Sequence, residues 1–148
     1  MVDKEVLQRK LQKLQEYLNE IESYQTLTWE DYQSSKQIRR AVERLIQLIV
    51  DVAVDINTHF LVDSGKPPPE NAYNSFIKAS ENGFIPMKLA EEIAPSTGER
   101  NIIVHDYEVI DDAIVFESIP EVIAMYNRYL EHFKQYLEFN IFSTPEKI

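Results

Sequence analysis

The residues best suited to chemistry lie in one short stretch, Arg100-Asn101-Ile102-Ile103-Val104-His105-Asp106-Tyr107. On a helix turning about 100° per residue, Tyr107, Arg100, Val104, Asn101 and His105 share a front roughly 160° wide, with Ile102 and Ile103 as the apolar back. That front carries a permanent cation, an amide, an imidazole and a phenol, a set that suits a phosphodiester. RNA cleavage without metal needs a base for the 2′-hydroxyl proton, an acid for the leaving oxygen and a cation for charge building on phosphorus. An imidazole ordinarily titrates near about 6.5, so His105 can move protons near neutrality, while Arg100 stays charged and presents a planar fork. The two are about 140° apart on such a helix, so one copy does not close around a phosphate. A two-fold dimer would place two fronts across one cleft.

Composition removes the competing chemistries. The chain has no cysteine, which excludes disulfides, thiolate nucleophiles and Cys-based zinc sites. His59, His105 and His132 are too far apart in sequence for a compact metal motif, so no metal is expected. A net charge of −10 opposes broad binding to phosphate backbones, and any nucleic-acid contact has to use a local basic group. The densest such group is Lys36, Arg39, Arg40 and Arg44, the expected RNA-backbone contacts. Arg40, Arg44, Gln47, Asp51, Asp55 and Thr58 recur every three or four residues as one polar stripe. It reads as a wet face, or as a strip beside the catalytic cleft on which Asp51 or Asp55 orients an Arg or His.

The elements that must position these residues are helices. With 3 glycines in 148 residues and 44% apolar content, the chain reads as a single all-α domain, residues 1–148, an up-and-down bundle of about five to six helices. Leu7, Leu11, Leu14, Leu18 and Ile21 mark a first helix from about Asp3 to Ser23. Thr28-Trp29-Glu30-Asp31 opens a long second helix running to about Val62, before Ser64-Gly65-Lys66-Pro67-Pro68-Pro69. Glu70 to Asn82 forms a third, stopped by Gly83; Pro86 opens a fourth, which Pro95 ends. Thr97 is the expected cap of a helix from Gly98 to about Tyr107, and Ser118-Ile119-Pro120-Glu121 reads as the capping box of a long last helix. No run of about 18 uncharged apolar residues occurs and the amino end lacks a signal-peptide pattern, so the expected location is the cytoplasm, away from membranes.

The motif stretch resembles the Arg-Asn-x-x-Val-His-x-Tyr signature of HepT-like toxins, within the wider HEPN group of helical ribonucleases. The likeness extends to Arg40-Ala41-Val42-Glu43-Arg44, to Asp55-Ile56-Asn57-Thr58-His59, and to Pro69 through Ile77 followed by Gly83-Phe84-Ile85. Glu99 departs from the apolar or aromatic residue such proteins commonly carry after the glycine. The resemblance implies a homodimeric, metal-independent endoribonuclease with Arg100 and His105 lining a cleft between protomers and Asn101 beside them. It also implies a partner, an MNT-type nucleotidyltransferase antitoxin, which uses ATP and Mg to place AMP on the motif tyrosine, here Tyr107. Cleavage itself would need no cofactor. AMP on Tyr107 would set an anionic phosphate and a bulky base two residues from His105, where RNA must enter. Two rival expectations are a non-catalytic helical partner that regulates a nucleotidyltransferase, and a nucleotide-binding module in which Arg100 holds a phosphate and no bond breaks.

Overall fold

The computed structural model describes residues 3–105 and 110–143, with side chains as far as residue 137 and that of His105 set aside. These residues form seven helices: α1 (Lys4–Glu22), α2 (Trp29–Ser34), α3 (Lys36–Asp63), α4 (Ala72–Glu81), α5 (Met87–Ile93), α6 (Ser96–His105) and α7 (Asp112–Ser143). The fold is all-α, as the composition predicts.

α1 starts where Asp3 accepts a bond from the Val6 N–H at 3.2 Å. Its leucine seam is fully used, with Leu7, Leu14, Leu18 and Ile21 at zero exposure. Each such burial is worth about 1.5–3 kcal/mol relative to exposure. The helix runs antiparallel to α3, because Asp3 N–H reaches Asp63 Oδ2 at 3.1 Å and Lys10 pairs with Asp55 further along.

α3 is the central element. It is long and apolar enough to cross a membrane by length and composition, but Val42, Leu45, Ile46, Ile49, Val50, Ala53, Ile56, Phe60 and Leu61 are buried against its neighbours. α3 and α7 run in the same direction, since Arg39–Asp112, Ala53–Tyr129 and Phe60–Phe133 pair in ascending order. The chain returns between them through α4, α5 and α6. A Schellman closure ends α3 and α4: Lys66 and Phe84 N–H groups reach back to Leu61 and Ala79, with Gly65 and Gly83 at φ 82° and 81°.

Two boundaries differ from the sequence expectation. The long second helix is broken at Ser35, which is extended (φ −118°, ψ 105°) and recaps the chain by accepting from Ile38 N–H at 3.2 Å. The break swings α2 so that Trp29 and Tyr32 meet Phe116 of α7, at ring separations of 5.6 and 5.3 Å. The last helix begins at Asp112 rather than at the Ser118 capping box. Asp111 caps it by accepting from Ala113 and Ile114, and Ser118 turns its hydroxyl back to the Val115 carbonyl at 2.7 Å. Pro120 therefore lies inside α7. The hydrogen bond it forfeits is offset by burial of Val115, Ile119, Val122 and Ile123 around it.

A buried polar chain ties the frame. The Tyr129 hydroxyl lies 2.7 Å from Asn57 Oδ1 and 2.9 Å from the Ala53 carbonyl, and Asn57 donates to Ser75 at 3.1 Å. Removing that hydroxyl strands an acceptor without water. Tyr129→Phe is expected to lower unfolding free energy by about 1–3 kcal/mol, read by urea denaturation.

Candidate active site on the motif helix

α6 is fastened at its start. Ser96 shares a 2.6 Å bond with the buried Tyr126 hydroxyl of α7 and turns to the Ile93 carbonyl at 2.7 Å. Thr97, the expected cap, instead donates to Ala94 at 2.8 Å and is buried, and the helix begins at Ser96, two residues earlier than expected. Burial pushes the Tyr126 phenol well up, helped by Glu99 and Asp51 and opposed by Ser96 and Arg100. It stays a neutral hydrogen-bonding group behind the motif.

Arg100 points toward α3, where its Nη1 donates to Asp51 Oδ1 at 2.9 Å. The guanidinium side chain is 19% exposed and the carboxylate 42%, so the pair sits at the rim of the core. Arg100 Nε is buried and has no hydrogen-bond partner among the described residues. Asp51 thus supplies the orienting carboxylate. Asp55 does not reach α6: it pairs with Lys10 of α1.

The faces of α6 differ from the expected front and back. Ile103 is buried at 8% exposure, but Ile102 at 43% and Val104 at 38% are open, as is Asn101. Arg100 leans inward with Ile103 because Asp51 draws it, while Asn101 and Ile102 lie on the outer arc. The register carries position 105 onto that same arc, 40° from Asn101 at about 100° per residue. Tyr107 lies outside the described residues.

The basic group is divided. Lys36 and Arg44 are exposed. Arg39 donates to the Gln33 carbonyl and faces Asp112 at 3.6 Å, holding α2 and α7 to α3. Arg40 grips both oxygens of Glu43 at 2.9 and 3.0 Å. Glu43 is only 5% exposed, and burial raises its carboxyl against the opposing pull of Arg40. Arg44 shares the arc of Asp51 two turns away, about 10 Å along α3. It is the cation of the four that best extends the Arg100 rim.

The sequence model of the Ribonuclease HepT-like family matches residues 14–133. The chain is 32% identical over 132 residues to the tRNA nuclease HepT of Aphanizomenon flos-aquae, spanning 89% of this chain and 90% of that one. It belongs to the HepT-like ribonuclease family. A HepT-like relative in Shewanella oneidensis, an mRNA nuclease, is 25% identical over 93 residues, 63% of this chain and 65% of its own. The fold matches a solved tri-AMPylated Shewanella oneidensis HEPN toxin in complex with MNT antitoxin at TM-score 0.78 and 20% identity, covering 91% of this chain and 99% of that one. Ser96 and Tyr126, which the sequence reading did not single out as site residues, hold the start of the helix that carries Arg100.

The Arg100–Asp51 pair is half-exposed and so contributes modestly to folding. Asp51→Asn is expected to cost no more than about 1 kcal/mol in chemical denaturation. A loss several times larger would mean that the pair holds the fold rather than the cation.

Proposed function

We propose that this HepT-like chain is a metal-independent endoribonuclease toxin acting in the cytoplasm. The observation that carries the reading is the Arg100 guanidinium, held by Asp51 at 2.9 Å on a helix whose register brings His105 one and a half turns later. In the reaction, the 2′-hydroxyl oxygen attacks the adjacent phosphorus and loses its proton to a base. The 5′-oxygen leaves and takes a proton, giving a 2′,3′-cyclic phosphate and a 5′-hydroxyl. His105 exchanges those protons, Arg100 balances the charge on phosphorus, and Asn101 can hold a phosphate oxygen. Lys36 and Arg44, with Arg39 and Arg40 at the edge, guide the RNA backbone. Transfer RNA is the favoured substrate class, in line with the 32%-identical relative.

A homodimer completes the site. Ile102, Val104 and Ile114 are exposed apolar side chains on α6 and the start of α7, and Ile102 and Ile114 border a cleft with Ile103, Ile110 and Val115. Such a patch beside a half-built cationic site fits a second copy. The antitoxin partner is an MNT-type nucleotidyltransferase that uses ATP and Mg to place AMP on Tyr107, blocking RNA entry. Cleavage by the toxin itself uses no cofactor.

Purified protein is expected to cut RNA in EDTA and to leave cyclic-phosphate ends. His105→Ala and Arg100→Ala are each expected to slow cleavage by about a hundredfold or more. Cleavage retained in His105→Ala overturns the mechanism. Co-expression with the nucleotidyltransferase is expected to add AMP to the wild-type chain and none to Tyr107→Phe, as read by intact mass.

A further inference from the structure

Glu99 has no part in the chemistry above, yet it is the residue most awkwardly placed for its charge. It precedes Arg100 on α6, and its Oε1 is buried without a hydrogen-bond partner. Among the described residues, the Ser118 side chain of α7 is the hydrogen-bonding group beside it. The carboxyl borders the cleft lined by Ile102, Ile103, Ile110, Ile114 and Val115, so its surroundings are largely hydrocarbon. Charged neighbours offer little relief. α7 presents Glu121, a like charge, and the buried neutral Tyr126 phenol. Asp111, across the cleft, is occupied as the cap of α7. α3 brings Asp51, another carboxylate, which takes up Arg100.

We propose that Glu99 is a proton-operated latch on the motif helix: neutral, it seats α6 against α7, and ionised, it draws the helix outward and loosens the hold on Arg100. A buried carboxyl with one unpartnered oxygen is tolerable when protonated and costly when charged. Desolvation accordingly raises its pKa, with Glu121 adding and Ser118 opposing. A raised carboxyl favours the seated state in acid. That preference is complete below the ordinary carboxylate value and is lost as pH climbs through the shifted one. Glu99 is a positioning residue, and its effect on cleavage rests on the function proposed above; the latch itself does not.

The test is hydrogen exchange of α6 amides in the full chain, expressed as protection factors, for wild type, Glu99→Gln and Glu121→Gln. Wild-type protection is expected to fall on the order of tenfold between about pH 5 and about pH 8. Glu99→Gln, permanently neutral, should hold its acid-side protection throughout. Glu121→Gln, a surface change that removes the repelling charge, should shrink the fall. An undiminished fall in either variant overturns the latch, and if Glu99→Gln does not fold, Glu121→Gln decides. RNA cleavage is read separately across the same range. A chain with the exchange pattern but no cleavage refutes the nuclease and leaves the latch standing.

Discussion

A guanidinium at the edge of a hydrophobic core has to meet a carboxylate, and here Arg100 meets Asp51. That contact joins two helices whose residues are 49 positions apart and decides which way α6 is turned. With Arg100 facing α3, the apolar Ile102 and Val104 are left outside and Ile103 alone goes under. The exposed apolar strip and the half-built cationic site are therefore two consequences of one ion pair. Burial of Ile103 and the bond between Ser96 and Tyr126 turn the helix the same way.

The rest of the molecule keeps that contact in register. Tyr129 locks α7 to α3 through Ala53 and Asn57, and Tyr126 locks α7 to the start of α6 through Ser96. The two tyrosines lie three residues apart on one helix, so α3, α6 and α7 are referenced to one another by buried hydroxyls rather than by packing alone. Apolar packing tolerates small slides, whereas a buried hydroxyl bonds only at one distance. A cation presented to a phosphate benefits from that precision.

Electrostatics explain how an acidic chain can still present cations. Arg39 and Arg40 are taken up by Asp112 and the buried Glu43, which stiffens the α2 corner and withdraws charge from the surface. Arg44 and Lys36 remain outward on the face that leads to Asp51. The chain's net charge of −10 around them disfavours indiscriminate phosphate binding.

Much of the fold could be read from one-dimensional patterns. The leucine seam of α1, the apolar girth of α3 and the Gly83 stop are local statements of periodicity and backbone geometry, and the Arg100 to Tyr107 motif pointed to the family without coordinates. The sequence could not rank competing caps. Ser35 breaks a helix because α2 gains an aromatic contact with Phe116, and Pro120 is tolerated because the residues around it are buried. Both outcomes depend on neighbours far away in the chain. It equally could not choose between Asp51 and Asp55, which share a stripe: the former meets α6 and the latter meets Lys10, because helices on different sides of α3 claim them. Residue types and spacing determined that a cation and an imidazole would share one helix. Which way that helix rolls, and which carboxylate waits for it, was decided only when α3, α6 and α7 packed, since burial energy depends on all three surfaces at once.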